Sequence, residues 1–312
     1  MTSRRWDLLV IGDCGVDIYV AVPRLPAYDE KVPADLLGMY GGGVAANFAC
    51  AAQRFGRRVG LLASVGQDPF AALAVRTVED FGVDVGPIRR MADVPTAFCF
   101  VALDGTGEKA LTIVRTPTFF PTLDQIDPEL VGEASVVHMA PFDIGVAAQV
   151  AREASRRGAQ VTVDLEPGML AAGDDALQDL LRQTTLAMPN QQFLTARFPD
   201  RSPADAARAL RSLGPEAVVA TLGSEGAVVA TGAGETHVAA VPTRVEDTTG
   251  AGDCFNAVLV SAWLEGTDLV EAARWGAAAA SIAITAQGAR SRLPTRAEVL
   301  AVAARARGGT DA

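Results

Sequence analysis

The sequence predicts an α/β fold: a three-layer α/β/α domain with a mostly parallel central sheet and a small β-sheet lid. Short apolar runs of strand length alternate with longer segments in which apolar residues recur at three- and four-residue spacing. The short runs lack polar alternation, which is typical of strands buried on both faces of a parallel sheet. The 312 residues, 49% of them apolar, are enough to bury a large core. We expect residues 1–312 to form a single domain.

The elements of the main layer follow from this alternation. Strands are predicted at 8–11, 59–64, 136–139, 161–165, 186–188, 217–222 and 227–230. Helices are predicted at 44–55, 70–81, 145–157, 203–213 and 253–265. Because strands and helices alternate, the strands should lie mostly parallel, with helices covering the sheet.

Two segments, 17–40 and 88–115, interrupt the alternation and predict the lid. Within the second, residues 96–103 and 110–114 show hairpin-like patterns on either side of a turn at 104–107. We expect the two insertions to form one small β-layer near the ends of the first strands. Apolar lid side chains such as Phe98 and Phe100 favour a homodimer through the lid, although they could equally pack internally.

Charge and cysteine content exclude several classes of partner. A net charge of -10 and a pI near 4.8 argue against nucleic acid or an anionic membrane surface, because such partners need clustered Lys and Arg. The four cysteines have no paired spacing and fit neither a zinc site nor a disulfide framework. No apolar stretch suits a signal peptide or a membrane span. We expect a cytoplasmic protein with a small-molecule substrate.

The string Asp-Thr-Thr-Gly-Ala-Gly-Asp at 247–253 precedes an apolar helical run. A glycine-rich turn at a helix N-terminus leaves backbone N–H groups unpaired and favours anions. Gly250, Ala251 and Gly252 therefore predict a phosphate site. Asp253, in the first helical turn, is placed to accept a proton from a hydroxyl beside that phosphate. For the glycines and Asp253 alone, a tight turn and a helix cap explain the pattern about as well.

A second glycine-rich string, Gly-Gly-Gly-Val-Ala-Ala-Asn at 41–47, precedes another predicted helix. Gly42 and Gly43 would let a ligand approach the backbone, and Asn47 offers a donor and an acceptor to a hydroxyl-bearing molecule. This predicts recognition of a diol. A buried asparagine that links two elements is the alternative.

Both strings resemble the two signatures of the ribokinase-like (PfkB) carbohydrate kinases and stand in the same order. The stretches 12–17, 189–190 and 221–226 also fall where that family has its motifs, so the resemblance covers nearly the whole chain. It implies ATP-dependent phosphorylation of a hydroxyl of a sugar or sugar derivative, with Mg²⁺ bridging the ATP phosphates.

The resemblance also assigns roles to individual residues. Asp253 would be the general base, and the amides of 250–253 would form the anion hole. Asp13 and Asp17 would hold substrate hydroxyls. The nucleotide would lie against Asn190, Thr221, Gly223, Ser224 and Gly226. Asp247 and Thr249 resemble the positions that hold a monovalent cation such as K⁺, although a carboxylate that stabilises the turn accounts for Asp247 equally well.

Three departures from the family pattern narrow the substrate and metal predictions. Phe193 stands where the family has the glutamate of Asn-x-x-Glu, which leaves the usual magnesium network in question. Gly15 stands where ribokinase has an asparagine, and the lysine common within the glycine signature is absent. Ribose itself is therefore a weaker prediction than a sugar kinase in general.

Further polar candidates stand at predicted strand ends, where ligands of parallel sheets bind. These are His138 and the pair Asp164 and Glu166. A histidine with satisfied hydrogen bonds in the core is the alternative for His138. Arg115, at the end of a lid strand, could pair with an anionic group on the substrate or be a solvated surface charge.

Competing functions fit less well. No Gly-Lys pair exists, which excludes a P-loop kinase. The stretch 41–46 matches the Gly-x-Gly-x-x-Ala pattern of dinucleotide-binding enzymes, but no acidic residue ends a strand at the expected distance. A nucleoside kinase of the same family and a non-catalytic sugar or nucleotide sensor on the same scaffold remain alternatives.

Overall fold

The computed structural model describes residues 4–105 and 109–308. Its strands are β1 (Trp6–Ile11), β2 (Gly15–Ala21), β3 (Asp35–Gly42), β4 (Val59–Leu62), β5 (Ser64–Val65), β6 (Arg89–Arg90), β7 (Phe98–Leu103), β8 (Lys109–Val114), β9 (Ala134–Met139), β10 (Gln160–Leu165), β11 (Leu186–Pro189), β12 (Ala217–Thr221), β13 (Ala227–Thr231) and β14 (Gly234–Val238). Its helices are α1 (Val44–Phe55), α2 (Pro69–Glu79), α3 (Pro128–Gly132), α4 (Ile144–Arg156), α5 (Asp174–Leu181), α6 (Gln191–Arg197), α7 (Pro203–Arg211), α8 (Ala251–Leu264), α9 (Leu269–Ala283) and α10 (Arg296–Gly308).

The main sheet has eight strands in the order β14-β13-β12-β11-β10-β9-β1-β4. The six strands from β12 to β4 are parallel, and β13 and β14 add an antiparallel edge. Strand β1 illustrates why a continuous apolar run suits a strand that is buried on both faces. Leu8 and Val10 belong to the core on one face of the sheet, whereas Leu9 and Ile11 belong to the core on the other face. The predicted fold class is confirmed.

Helices cover both faces of this sheet. Residues of α1, α2, α8 and α9 contribute to one core, and residues of α4, α5 and α7 contribute to the other. Each predicted strand and helix of the main layer corresponds to an observed one, with ends that differ by a few residues. The elements that were not predicted are the edge strand β14, the short helices α3, α5 and α6, and the longer helices α9 and α10. Short elements carry too few residues for a clear periodic signal.

The small sheet has four strands in the order β3-β2-β7-β8. Strands β2 and β3 form one antiparallel pair, β7 and β8 form another, and β2 and β7 join them in parallel. Its first strand in the chain, β2, begins at Gly15, two residues before the first predicted insertion at 17–40. Strand β6, in the second predicted insertion at 88–115, pairs with β5 and does not join this sheet. In the predicted turn at 104–107, Thr106 and Gly107 lie outside the described residues.

Helices α1 and α8 each start at an N-cap glycine with a positive φ angle, which has no side chain of its own to cap the helix. Gly43 has φ 100°, and a Cβ atom there would lie 2.7 Å from the carbonyl oxygen of Asp13. Gly250 has φ 76°, and a Cβ atom there would lie 2.7 Å from the Cβ of Ala289. Glycine is therefore required at both positions. The start of α8 keeps amides available for a ligand, whereas Asp13 accepts from the amides of Ala45 and Ala46 at the start of α1.

Within the described residues, none of the helices combines the length and the apolar character that a bilayer span requires.

Candidate active site

A cleft of about 310 Å³ lies between the small sheet and the carboxyl ends of the first strands of the main sheet. It brings together residues from both glycine-rich strings. The site residues predicted from the sequence that line this cleft are Asp13, Asp17, Gly43, Asn47, Thr249, Gly250 and Asp253. The cleft therefore joins segments that are far apart in the sequence, as the paired motifs predict.

Asp253 is the third residue of α8 and faces the cleft. The Nδ2 atom of Asn47 donates to Oδ2 of Asp253 over 2.8 Å. The Oδ1 atom of Asn47 accepts from Nε of Arg290 over 2.8 Å, which fixes the orientation of the amide. Since Asn47 engages one carboxylate oxygen, the other oxygen of Asp253 is left to meet a ligand.

Electrostatics bring the ionisation of Asp253 close to neutral pH. Burial, helped by the charges of Glu166 and Asp13, raises the pKa of Asp253 to about 8, although the Asn47 hydrogen bond and Arg290 act in the opposite direction. A carboxyl group with this pKa can take up and release a proton under physiological conditions. Such a pKa suits a general base.

The start of α8 offers backbone amides beside that carboxylate. No acceptor among the described residues is found for the amides of Gly250, Gly252 and Asp253, whereas the amide of Ala251 donates to the carbonyl of Thr248 over 3.2 Å. A Cβ atom at Gly252 would meet nothing within 4 Å, so an anion can approach there. The helix dipole adds positive potential at this end of α8. Free amides and a carboxylate thus lie side by side, an arrangement that can hold an anion next to a proton acceptor.

The carboxylates of Asp13 and Asp17 also line the cleft. Asp13 is 6% exposed and accepts from the amide of Ala45 over 3.0 Å, so it also anchors the start of α1. Burial raises the pKa of Asp17 to about 6 against the opposing charge of Arg290. Gly42 lies directly behind Asp17, because a Cβ atom there would lie 2.5 Å from Oδ1 of Asp17. Gly42 thus makes room for this carboxylate without lining the cleft.

An apolar wall completes the cleft. It consists of Phe98, Leu111 and Ile113 from the small sheet together with Phe119 and Phe142. The rings of Phe119 and Phe142 are in contact, with centroids 4.0 Å apart. The cleft can therefore hold a molecule with hydroxyl groups on one side and an apolar or aromatic surface on the other.

Comparison with known proteins agrees with this geometry. The model for "pfkB family carbohydrate kinase" matches residues 6–296. The chain belongs to the pfkB family of carbohydrate kinases. It is 27% identical to the ribokinase of Haemophilus influenzae, over 95% of this chain and 98% of that protein. It is 30% identical to the ATP-dependent ribose-1-phosphate kinase of Halopiger xanaduensis, over 91% of this chain and 94% of that protein.

Solved structures of this family share the fold. The structure of Arabidopsis thaliana ribokinase complexed with ribose and ATP superposes with a TM-score of 0.82 at 27% identity. The superposition covers 95% of this chain and 98% of that chain. The family resemblance predicted from the two glycine-rich strings is confirmed.

The structure places two predicted substrate residues of this pfkB kinase outside the cleft. His138 is fully buried on β9, stacks on Phe48 with ring centroids 3.6 Å apart, and pairs its Nδ1 atom with Oγ1 of Thr162 over 3.0 Å. Burial lowers the pKa of His138 to about 3, so the ring is neutral. A buried, stacked ring cannot reach a ligand, which corrects this expectation. Arg115 is exposed just beyond β8 and does not line the cleft.

The predicted nucleotide residues lie along the carboxyl edge of the main sheet, outside the cleft. Asn190 and Thr221 end adjacent strands and form a bridge. The Oδ1 atom of Asn190 accepts from the amide of Phe193 over 2.8 Å and caps α6. Gly223 and Ser224 belong to the turn after β12, and Gly226 closes it by accepting from the amide of Leu222 over 2.8 Å.

Phe193, which stands where the family pattern has a glutamate, is the third residue of α6 and is fully buried in the core. A side chain in this position contributes packing and cannot contribute charge to a metal. Glu166, which lines the cleft after β10, is an acidic side chain close enough to Asp253 to raise its pKa. Burial and the charge of Asp13 raise the pKa of Glu166.

Sequence reasoning missed Arg290 and Lys109. Arg290 donates to Asn47, to Oγ1 of Thr77 over 3.0 Å and to the carbonyl of Gly42 over 2.6 Å. Lys109 lines the cleft from β8 and donates to Oγ1 of Thr249 over 2.8 Å. Neither residue belongs to a short motif. The scarcity of lysine, at two residues in the chain, was the one signal that could have singled out Lys109.

Proposed function

We propose that this protein transfers the γ-phosphoryl group of ATP to a hydroxyl of a sugar or sugar derivative, with Asp253 as the general base. The observation that carries the proposal is the placement of the Asp253 carboxylate beside the free amides of Gly250 and Gly252 in the cleft. A base and an anion site at one helix start are what in-line phosphoryl transfer to an alcohol requires.

The first step is positioning of the acceptor. In the cleft, Asp17 and Asp13 offer acceptors for substrate hydroxyl groups, and Asn47 offers its second N–H as a donor. Carboxylates suit this task because they accept hydrogen bonds at two oxygens. The reacting hydroxyl is held against the oxygen of Asp253 that Asn47 does not engage.

Proton transfer and charge stabilisation follow at the start of α8. Asp253 accepts the proton of the hydroxyl as the new O–P bond forms, and the ADP oxygen departs in line. The amides of Gly250 and Gly252 face the charge that develops on the transferred group. Because α8 is rigid and packed in the core, these donors do not need to reorganise during the reaction.

The acidic character of the cleft fits MgATP as the second substrate. The charges of Glu166 and Asp13 raise the pKa of Asp253, and the charge of Asp13 raises the pKa of Glu166, so the cleft favours added positive charge. Glu166 would face the metal, directly or through water, since its hard carboxylate oxygens match Mg²⁺. When bound, Mg²⁺ neutralises the phosphate oxygens of ATP. Asn190, Thr221, Gly223, Ser224 and Gly226 would hold the nucleotide along the adjacent edge of the sheet.

A nucleoside kinase is the second candidate, and the contact between Phe119 and Phe142 favours it. An aromatic wall can stack on a base, whereas a free sugar presents mostly hydroxyl groups. The carboxylates serve the ribose hydroxyls of a nucleoside equally well. The substrate class is therefore decided by what occupies the apolar side of the cleft.

A homodimer through the small sheet and a cytoplasmic location are part of the proposal. Met39 and Phe100 both pair with Ile18, so they share a sheet face, and they are 47% and 42% exposed. An apolar sheet face of this kind suits a second copy of the chain. All four cysteines are free, which suits a reducing compartment. The net charge of -10 argues against nucleic acid and anionic membranes as partners.

The test is ADP production by the purified protein across sugars, sugar acids, phosphorylated and sulfonated sugars and nucleosides. We expect turnover on one class and a fall of about 10²- to 10⁴-fold for Asp253→Asn. As a control that the Asp253→Asn variant is folded, its binding of ATP is measured by calorimetry. ATP binding without turnover on any acceptor would favour a sensor instead.

A further inference from the structure

The carboxylate of Asp247, in the turn before the anion site, is surrounded by donors from this chain. Its Oδ1 atom accepts from the amide of Thr249 over 2.9 Å, from Oγ1 of Thr249 over 2.7 Å and from Nζ of Lys109 over 3.3 Å. Its Oδ2 atom accepts from the amide of Gly288 over 2.9 Å and from the hydroxyl of Tyr19 over 3.1 Å. A carboxylate offers about four acceptor sites, and these donors fill them.

This arrangement leaves no place for a monovalent cation bound to the carboxylate of Asp247. A metal ion would need a carboxylate oxygen that has a lone pair to spare, and it would lie next to the Lys109 ammonium group. Two like charges beside one carboxylate repel each other. The donor set around Asp247 therefore does not fit K⁺ in this conformation.

The Lys109 ammonium group carries the single positive charge that such an ion would bring. Its Nζ atom lies 2.8 Å from Oγ1 of Thr249, and Thr249 directly precedes Gly250 of the anion site. The side chain of Asp247 is 9% exposed and that of Lys109 is 27% exposed, so water screens the pair only partly. Although burial opposes ionisation, hydrogen bonds from Gly288 and Thr249 and the charge of Lys109 lower the pKa of Asp247 to about 2.

The choice of residue supports a specific role. The chain has 27 basic residues, and only Lys31 and Lys109 among them are lysines. An ammonium group is a compact point charge with three donors, whereas a guanidinium group is flat and spreads its charge. At Asp247 the chain uses the residue that most resembles a small monovalent cation.

Resting on the proposed kinase function, we propose that Lys109 is a tethered replacement for the monovalent cation, so that catalysis does not depend on added K⁺. Lys109 belongs to β8 of the small sheet, and Tyr19 of β2 binds the same carboxylate. The positive charge thus reaches the anion-site turn only when the small sheet lies over the cleft. Lys109 acts as a positioning residue that couples closure of the small sheet to the anion site.

The first experiment measures kcat and KM in buffers whose only monovalent cation is tetramethylammonium, with and without KCl. The wild-type rate should be unchanged by K⁺. Lys109→Met should lower kcat about tenfold or more and should regain part of that loss with K⁺ or methylammonium. Lys109→Arg, which keeps the charge but not its shape, should fall between the two. Lys31→Met, at the other and exposed lysine, is the matched control and should behave as wild type.

The second experiment does not need turnover. Thermal unfolding should show no K⁺-specific stabilisation of the wild type relative to Na⁺, whereas Lys109→Met should gain one because Asp247 becomes available to an ion. Strong K⁺ activation of the wild type, or a Lys109→Met enzyme with unchanged kcat, would overturn the proposal. If no acceptor is found, a K⁺-specific shift of the wild-type melting temperature would overturn it without bearing on the kinase function.

Discussion

Asn47 donates from the first turn of α1 to Asp253 in the first turn of α8, over 2.8 Å and across 206 residues of sequence. This bond connects the two glycine-rich strings, and Arg290 holds Asn47 in place from behind. The first string thereby orients the Asp253 carboxylate, which the second string carries beside the free amides of α8.

Removal of the Asn47 donor should move the pH dependence of the reaction upward. The hydrogen bond lowers the pKa of Asp253, so Asn47→Leu should raise that pKa above its value of about 8. The rising limb of the profile of log(kcat/KM) against pH should shift to higher pH. Gln53→Leu, on the same helix and away from the cleft, controls for general effects on α1. An unshifted limb would show that Asn47 does not tune the base.

Removal of the Glu166 charge should have the opposite effect on the same limb. Glu166 raises the pKa of Asp253, so Glu166→Gln should move the rising limb to lower pH. The same substitution removes the carboxylate proposed to face the metal and should raise the Mg²⁺ concentration for half-maximal rate by about tenfold. Titrations with MgCl₂ at fixed ATP measure the second effect. If the rising limb moved to lower pH but the Mg²⁺ dependence did not change, Glu166 would act only on the pKa of Asp253 and would not face the metal.

Asp253→Asn should stabilise the fold while it abolishes turnover. The pKa of Asp253 is raised from 3.8 to about 8, so the folded protein disfavours the carboxylate, and this destabilisation grows from about pH 4 to about pH 8. The melting temperature of the variant should exceed that of the wild type by about 3–6 °C at pH 8, and the difference should vanish near pH 4.

Asp247→Asn is the matched control for this stability prediction because its sign is reversed. The pKa of Asp247 is lowered from 3.8 to about 2, so its ionised form stabilises the fold above pH 3.8, and this stabilisation is lost as pH falls through about 2. Calorimetry should therefore show a lower melting temperature for Asp247→Asn at neutral pH. Equal shifts for both variants would contradict the electrostatic explanation.

Phe119→Ala should separate the two substrate classes. If the contact of Phe119 with Phe142 forms a platform for a base, the substitution should raise KM for a nucleoside by about tenfold and leave KM for a free sugar nearly unchanged. Steady-state kinetics with both acceptors measures the ratio. Phe70→Ala, which removes an aromatic ring that contacts Phe98 outside the cleft lining, is the control. Equal losses on both acceptors would contradict a base platform.

The homodimer should depend on the apolar face of the small sheet. Met39→Lys places a charge beside Ile18 and Phe100 on that face, and light scattering after size exclusion should show a shift from dimer to monomer. Tyr28→Lys alters an exposed aromatic side chain between β2 and β3, outside the sheet, and should not change the mass. A monomeric wild type would contradict the dimer.

The sequence by itself determined the main layer and the two strings that build the reaction site. Strand and helix alternation is a local property, since buried strands need short apolar runs and helices need periodic apolar faces. The glycines at 43 and 250 also indicated tight turns before helices, and their positive φ angles explain why glycine stands there. These local signals were sufficient to predict the family, Asp253 and Asn47.

Only the tertiary structure decided which charged side chains reach the site. Arg290 and Asn47 are 243 residues apart, and Lys109 and Asp247 are 138 residues apart, so no local pattern could link them. It also buried His138 on β9 and Phe193 on α6 in the core, whereas the sequence had left open a ligand contact for His138 and the loss of a metal ligand at Phe193. The physical reason is that a side chain's surroundings depend on how distant segments pack, whereas secondary structure depends on neighbours along the chain.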